Sequence, residues 1–165
     1  MTHADALSRR LARNRLTRRD ALWLFGASVG VTTLQGCATS PVTGRQILVG
    51  MSPEQEREVD RQQSPHQFSQ DLGAVQDEGV NRYVDEVADR LQPHVQRRDM
   101  PYSTRVLGAN YVNAYTFPAG AMGVTRGIMT ELQDESELAA LLGHEMGHVN
   151  ARHAAQRQGQ AMLAQ

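Results

Sequence analysis

The sequence predicts an α+β, helix-rich domain behind an export leader, and three observations predict it. Apolar residues recur at helical spacing twice, as Val80, Tyr83, Val84, Val87 and Leu91 and as Leu138, Leu141, Leu142, Met146 and Val149. Between these stripes two short β-prone runs, 113–117 and 121–125, are joined by Pro118-Ala119-Gly120, a hairpin or tight-turn signal. Ahead of both, six arginines within the first 20 residues run into an apolar stretch, Ala21 to Val31, too short for a comfortable membrane span.

That leader divides the chain. Thr17-Arg18-Arg19-Asp20-Ala21-Leu22 resembles a twin-arginine export signal. Leu34-Gln35-Gly36-Cys37 resembles a bacterial lipobox, although Gln35 stands where a small or β-branched residue is usual. Cys37 is the single cysteine of the chain, so no internal disulfide is available and a lipid anchor at Cys37 is expected. Ala38 follows it where inner-membrane retention would favour Asp, which points to the outer membrane facing the periplasm. The expected organisation is therefore a signal peptide with lipobox at 1–36, a lipidated Cys37 with a tether at 37–51, and a folded body from 52 to 165. After residue 36 the charges are 11 arginines against 16 acids. An acidic body excludes non-specific nucleic-acid binding, which needs a basic face.

The elements of the body follow in order. Residues 38–45 are polar and punctuated by Pro41 and Gly44, as a tether is, and residues 46–50 form one short strand. Ser52-Pro53-Glu54-Gln55 reads as a helix start, with Ser52 as N-cap and Pro53 at the first helical position. This helix is polar all round, is expected on the surface and should stop near Ser64-Pro65. The stripe from Val80 to Leu91 makes a core-facing helix that Pro93 closes. His66 and His94 lie beside helix ends and take no role. Residues 103–108 alternate weakly and form a strand, and Gly120, Gly123 and Gly127 mark close approaches of backbone. Residues 126–132 form a short helix or turn. Asp134 and Glu137 then make a capping box at the start of a long helix, and the stretch from Arg152 to Gln165 is its exposed end.

That last helix carries His144-Glu145-Met146-Gly147-His148, the pattern H-E-x-x-H. Residues four apart share a helix face, so two imidazoles converge on one point, as two ligands of a tetrahedral Zn²⁺ must. Glu145 is rotated by about 100° and stands beside that point, where it can take a proton from water. The chemistry implied is metal-assisted hydrolysis. Otherwise both histidines bond to carbonyls of the core.

Residues 113–157 resemble the zinc metallopeptidase family of the CAAX prenyl endopeptidases, HtpX-type proteases and periplasmic β-barrel-assembly-enhancing proteases. The resemblance is carried by Asn113-Ala114, Pro118-Ala119-Gly120, Arg126-Gly127, residues 135–138, the H-E-x-x-H and Ala151-Arg152-His153. It implies a zincin-like fold, a small hairpin or sheet packed on a long active-site helix. It also implies one Zn²⁺ per chain, with His144 and His148 as ligands, Glu145 as general base, and Asn113, Ala114 and Tyr115 in an edge strand that aligns an extended substrate. The expected activity is that of an envelope metalloendopeptidase acting on unfolded or misassembled polypeptides.

A catalytic zinc keeps three protein ligands and a water. In this family the third is a glutamate on a later helix, so the chain is expected to hold the N-terminal part of the domain. His153 lies nine residues after His144, roughly 180° around an uninterrupted helix, and should point away from the metal. The alternative function is a lipid-anchored scaffold or chaperone-like module that keeps the peptidase fold without catalysis.

Overall fold

A computed structural model describes residues 36–164. The leader, its paired arginines, and Leu34 and Gln35 of the lipobox lie outside that range. The described residues form β1 (Cys37–Thr39), β2 (Gln46–Leu48), α1 (Pro53–Gln70), α2 (Glu78–Leu91), a 3-10 turn (Gln92–His94), β3 (Ser103–Leu107), β4 (Ala114–Thr116), β5 (Ala121–Thr125), α3 (Arg126–Met129), α4 (Glu135–Asn150) and α5 (His153–Leu163). The fold is α+β and helix-rich. Among the described residues no helix is long and apolar enough to cross a membrane.

The residues expected as a tether form a hairpin. β1 pairs antiparallel with β2, Cys37 opposite Leu48. The loop between them is tied by the Ser40 hydroxyl, which accepts from the Thr43 amide at 3.2 Å, and turned by Gly44 at φ +68°. Cys37 itself is exposed.

α1 begins as its residues demand. The Ser52 hydroxyl accepts from Gln55 N, and Ser52 N donates back to Gln55 Oε1 at 2.7 Å. It does not stop at Pro65 but runs to Gln70. Both Pro65 and Arg61, whose carbonyl the proline leaves without its helical partner, are exposed, so the missing bond falls on the solvent side of the helix. Leu72 and Gly73, at φ +68° and +67°, end the helix, and Gly73 N closes it on Phe68 O at 2.8 Å. Nor is α1 a surface helix all round, because Glu56, Asp60 and Ser64 are buried along one stripe.

α2 is capped by Asp77, whose Oδ1 accepts from Gly79 N and Val80 N. It turns Val84, Val87 and Ala88 into the core. The sheet it covers has the order β3-β5-β4. β4 and β5 form the expected antiparallel hairpin, while β3 runs parallel to β5 in register from Ser103 opposite Ala121. All of β5 is buried. Val106, Met122 and Val124 of the sheet meet Leu138, Leu142 and Met146 of α4 and the valines of α2 in one core. Gly127 shows why a side chain is excluded beside this sheet, since a Cβ there would lie 2.3 Å from the carbonyl oxygens of Asn110 and Tyr111.

α4 starts at Asp134, whose carboxylate accepts from Glu137 N at 3.0 Å. Glu137 reaches back to Gln133 N rather than to the cap residue, so the capping box is shifted by one position. α4 ends at Asn150, and Arg152 adopts the left-handed conformation, φ +57°, before α5 begins. α5 is not an exposed tail of the same helix. Its Ala155 is fully buried against Val49 and Met51, and Ala155 O accepts from Gly50 N at 2.7 Å.

Candidate active site

Leu142, Met146 and Val149 anchor α4 in the apolar interior, and that fixes which way its polar residues face. The rings of His144 and His148 have centroids 4.7 Å apart. One ligand-capable atom from each of His144, Glu145 and His148 can be chosen so that all lie within 4.8 Å of one another. Zinc takes imidazole nitrogens at about 2.0–2.1 Å, which places two tetrahedral ligand atoms about 3.3 Å apart. Small rotations of the exposed His144 and the half-buried His148 close that gap, so these residues fit the ion. Glu145 is buried, and burial pushes its carboxyl above the ordinary value against the opposing charge of His144.

The break at Arg152 changes the place of His153. A continuous helix would carry its ring away, but the left-handed turn brings it back against the motif, with His148 Nδ1 and His153 Nδ1 2.6 Å apart. That separation is a hydrogen bond between two rings rather than two ligands on one ion. His153 therefore braces His148 and leaves its Nε2 for a metal, the arrangement by which outer partners orient metal-binding imidazoles. Burial first, and then neighbouring His and Arg157 charges, lower the proton affinity of both His148 and His153.

Facing these groups is β4. A cleft of about 190 Å³ has Ala114, Thr116 and Phe117 on one side and Glu145, His148 and His153 on the other. β4 is the outer strand of its sheet, so among the described residues no strand pairs with its far edge. Of the three residues expected in this strand, Ala114 and Tyr115 belong to it and Asn113 does not. Asn113 N donates to Thr125 Oγ1 at 3.1 Å and its carbonyl accepts from Thr125 N, which uses its backbone to close the hairpin. The Tyr115 hydroxyl is held by Asp71 Oδ2 at 2.5 Å and that of Tyr111 by Asp71 Oδ1 at 2.8 Å. Burial and this carboxylate raise the Tyr115 phenol far above its usual range. Burial pushes Asp71 upward, but the Tyr115 and Tyr111 hydroxyls and the Gln67 amide hold its charged form and bring it below the ordinary value.

An α+β fold, a motif helix and a cleft between that helix and β4 agree with one comparison in particular: residues 76–165 match the model of peptidase family M48. The chain belongs to this family. It is similar to the putative beta-barrel assembly-enhancing protease of Vibrio cholerae, 31% identical over 81 residues that cover 49% of this chain and 17% of that protein. It is also similar to the mitochondrial metalloendopeptidase OMA1 of Homo sapiens, 29% identical over 149 residues, 84% of this chain and 28% of that protein. The beta-barrel assembly-enhancing protease of Escherichia coli is 26% identical over 81 residues, 49% and 17% of the two chains. The chain thus spans less than a third of the length of these relatives.

Beneath the M48 site lies a set of groups that sequence patterning does not single out. Glu56 is fully buried at the floor of the cleft. Its carboxylate accepts from Arg97 Nη2 and, at 3.1 Å, from Arg152 Nε. Asp60 Oδ2 accepts from Ala119 N at 2.8 Å and Ala121 N at 3.2 Å. The available signal was the recurrence of Glu56, Asp60 and Ser64 every four residues, a polar stripe on a single helix face.

Proposed function

We propose that the chain carries the base and two metal ligands of a zinc metalloendopeptidase that cleaves unfolded or misassembled polypeptides in the bacterial cell envelope. The observation that carries this reading is that Glu145 and His148 open on the same cleft as β4, the outer strand of the sheet, with His144 beside them on α4. A zinc ion held by His144 and His148 would supply a Lewis acid that polarises the scissile carbonyl and acidifies water. Glu145, beside them, accepts the proton of the attacking water and returns it to the leaving amine. β4 aligns the substrate by strand addition through backbone groups. Recognition of that kind tolerates many side chains and suits an unfolded chain. The similarity to a putative beta-barrel assembly-enhancing protease supports polypeptides under assembly as the substrate class. The arginine-rich leader, the lipobox and the exposed Cys37 support a lipid anchor to the outer membrane on its periplasmic face.

Metal analysis and a casein assay test the site together. One zinc per chain is expected, lost in His144→Ala. Glu145→Gln should keep the zinc and lose cleavage. Protein that binds no zinc would leave the scaffold alternative standing, and a Glu145→Gln variant that still cleaves would remove Glu145 from the chemistry. For the anchor, Cys37→Ala should move the protein from the membrane pellet to the soluble fraction; continued pelleting would overturn it.

A further inference from the structure

α1 lies outside the 76–165 stretch that matches the family and supplies nothing to the proposed chemistry. Yet its buried face reaches both walls of the cleft. Glu56 and Asp60 are one helical turn apart and point the same way. Glu56 stands between two arginines, of which Arg97 also grips the end of the motif helix and Arg152 the residue ahead of the N-cap of α1. Arg97 Nη1 donates to Val149 O and Arg97 N to Asn150 Oδ1, both at 3.1 Å, while Arg152 Nη2 donates to Met51 O at 2.7 Å. Arg152 is also the residue whose left-handed backbone turns His153 back onto His148. One turn further along, Asp60 accepts from the amides of Ala119 and Ala121, in the turn that leads from β4 into β5. Apolar contact takes part as well, since the Phe68 ring of α1 packs against Tyr115 and Phe117, but the groups by which α1 bonds toward the two walls are Glu56 and Asp60.

We propose that α1 is a gauge for the cleft: Asp60 positions β4, the wall that aligns substrate, and Glu56 positions the His148–His153 pair, the wall that holds metal. Both are positioning residues, and the proposal rests on the peptidase reading above. It predicts two separable defects. Asp60→Asn keeps one oxygen that can face the amides of Ala119 and Ala121 but gives up the charge that strengthens both bonds, so the tie on the hairpin weakens while the metal wall keeps its own. Glu56→Gln removes the charge that neutralises Arg97 and Arg152, so the end of α4 and the brace on His148 loosen while the hairpin stays tied.

The test uses the full chain and three readouts: zinc affinity by chelator competition, kcat and KM on an extended fluorogenic peptide, and melting temperature. Asp60→Asn should raise KM about tenfold and leave zinc affinity within about twofold. Glu56→Gln should weaken zinc binding 10- to 100-fold, the usual cost of losing an outer-shell partner. Should Glu56→Gln fail to fold, Arg152→Lys keeps the charge without the two-point grip on Glu56 and Met51, and should weaken zinc about threefold. Glu56→Asp, which restores the carboxylate, should recover part of the loss. If the variants melt lower but their folded forms keep wild-type KM and zinc affinity, α1 is only a structural support and the gauge is overturned. A wild-type protein that neither binds zinc nor cleaves with all three ligands of the family in place would defeat the peptidase reading instead, whatever the α1 variants do.

Discussion

α1 and α2 both pack against the structure around the small sheet, and they bury opposite chemistries. α2 presents Val84, Val87 and Ala88 to the core and keeps its polar residues outside. The buried residues of α1 are Glu56, Asp60 and Ser64, with Val59 and Phe68 half-buried beside them. The apolar stripe contributes stability and has no direction beyond the fit of its side chains. The polar stripe needs partners of defined geometry, and it finds them in Arg97, Arg152 and the amides around Gly120. A buried charge costs several kcal/mol unless it is paired, so such a stripe is tolerated only where those partners stand. The difference teaches that the helix which looks least like a core element specifies the most about the site.

That contrast can be broken most sharply at Glu56. Glu56→Ala leaves Arg97 and Arg152 buried at 6% and 7% exposure without their counter-ion, and unfolding free energy should fall by about 3–5 kcal/mol. Urea denaturation measures it; a loss under about 1 kcal/mol would mean the two guanidiniums are solvated rather than paired. Val84→Ala on α2 is the matched change in the apolar stripe. Deleting two carbon groups from a fully buried position should cost about 2 kcal/mol, transfer and cavity together. Its signature is a lower melting temperature with zinc affinity and KM untouched. If Val84→Ala disturbed the site as much as Glu56→Gln, the division of labour between the two helices would be wrong.

Much of the local structure was legible because its signals are local. Ser52 with Pro53, Asp134 with Glu137, the hairpin around Pro118-Ala119-Gly120 and the apolar stripe of α2 each act within a few residues of themselves. The H-E-x-x-H was legible for the same reason, since one turn of helix is enough to bring His144 and His148 together. What was missed depends on residues far apart in the chain. The parallel pairing of β3 with β5 is a choice of topology that no dipeptide marks. Arg152 interrupts the helix although arginine is a good helix former, and it is held in a left-handed conformation by Glu56, 96 positions away. His153 was therefore placed on the wrong side of α4, because its position follows from that break and not from helical periodicity. Pro65 misled in the opposite sense, since an exposed proline can be carried inside a helix when the carbonyl it strands lies on the solvent side.

α1 also sets its own two buried aspartates against each other, and this gives the smallest test. Burial pushes the Asp60 carboxyl above its ordinary value, and the amides of Ala121, Ala119 and Gly120 only partly oppose it. Asp71, at the end of the same helix, lies below the ordinary value through Tyr115, Tyr111 and Gln67. The signs of linkage are therefore opposite. For Asp60 the folded state binds the proton more tightly than the unfolded state, so its contribution to stability falls as pH rises through the raised pKa. For Asp71 the folded state favours the anion, so its contribution is present above the unfolded carboxylate pKa and is lost as pH falls through the lowered one. Melting curves of wild type, Asp60→Asn and Asp71→Asn between about pH 3 and 7 separate the two. The gap between wild type and Asp71→Asn should widen as pH rises, and that between wild type and Asp60→Asn should narrow. Parallel gaps would mean that both carboxylates are in effect solvated. In that case the buried polar stripe would lose one of the two groups on which its hold over the cleft depends.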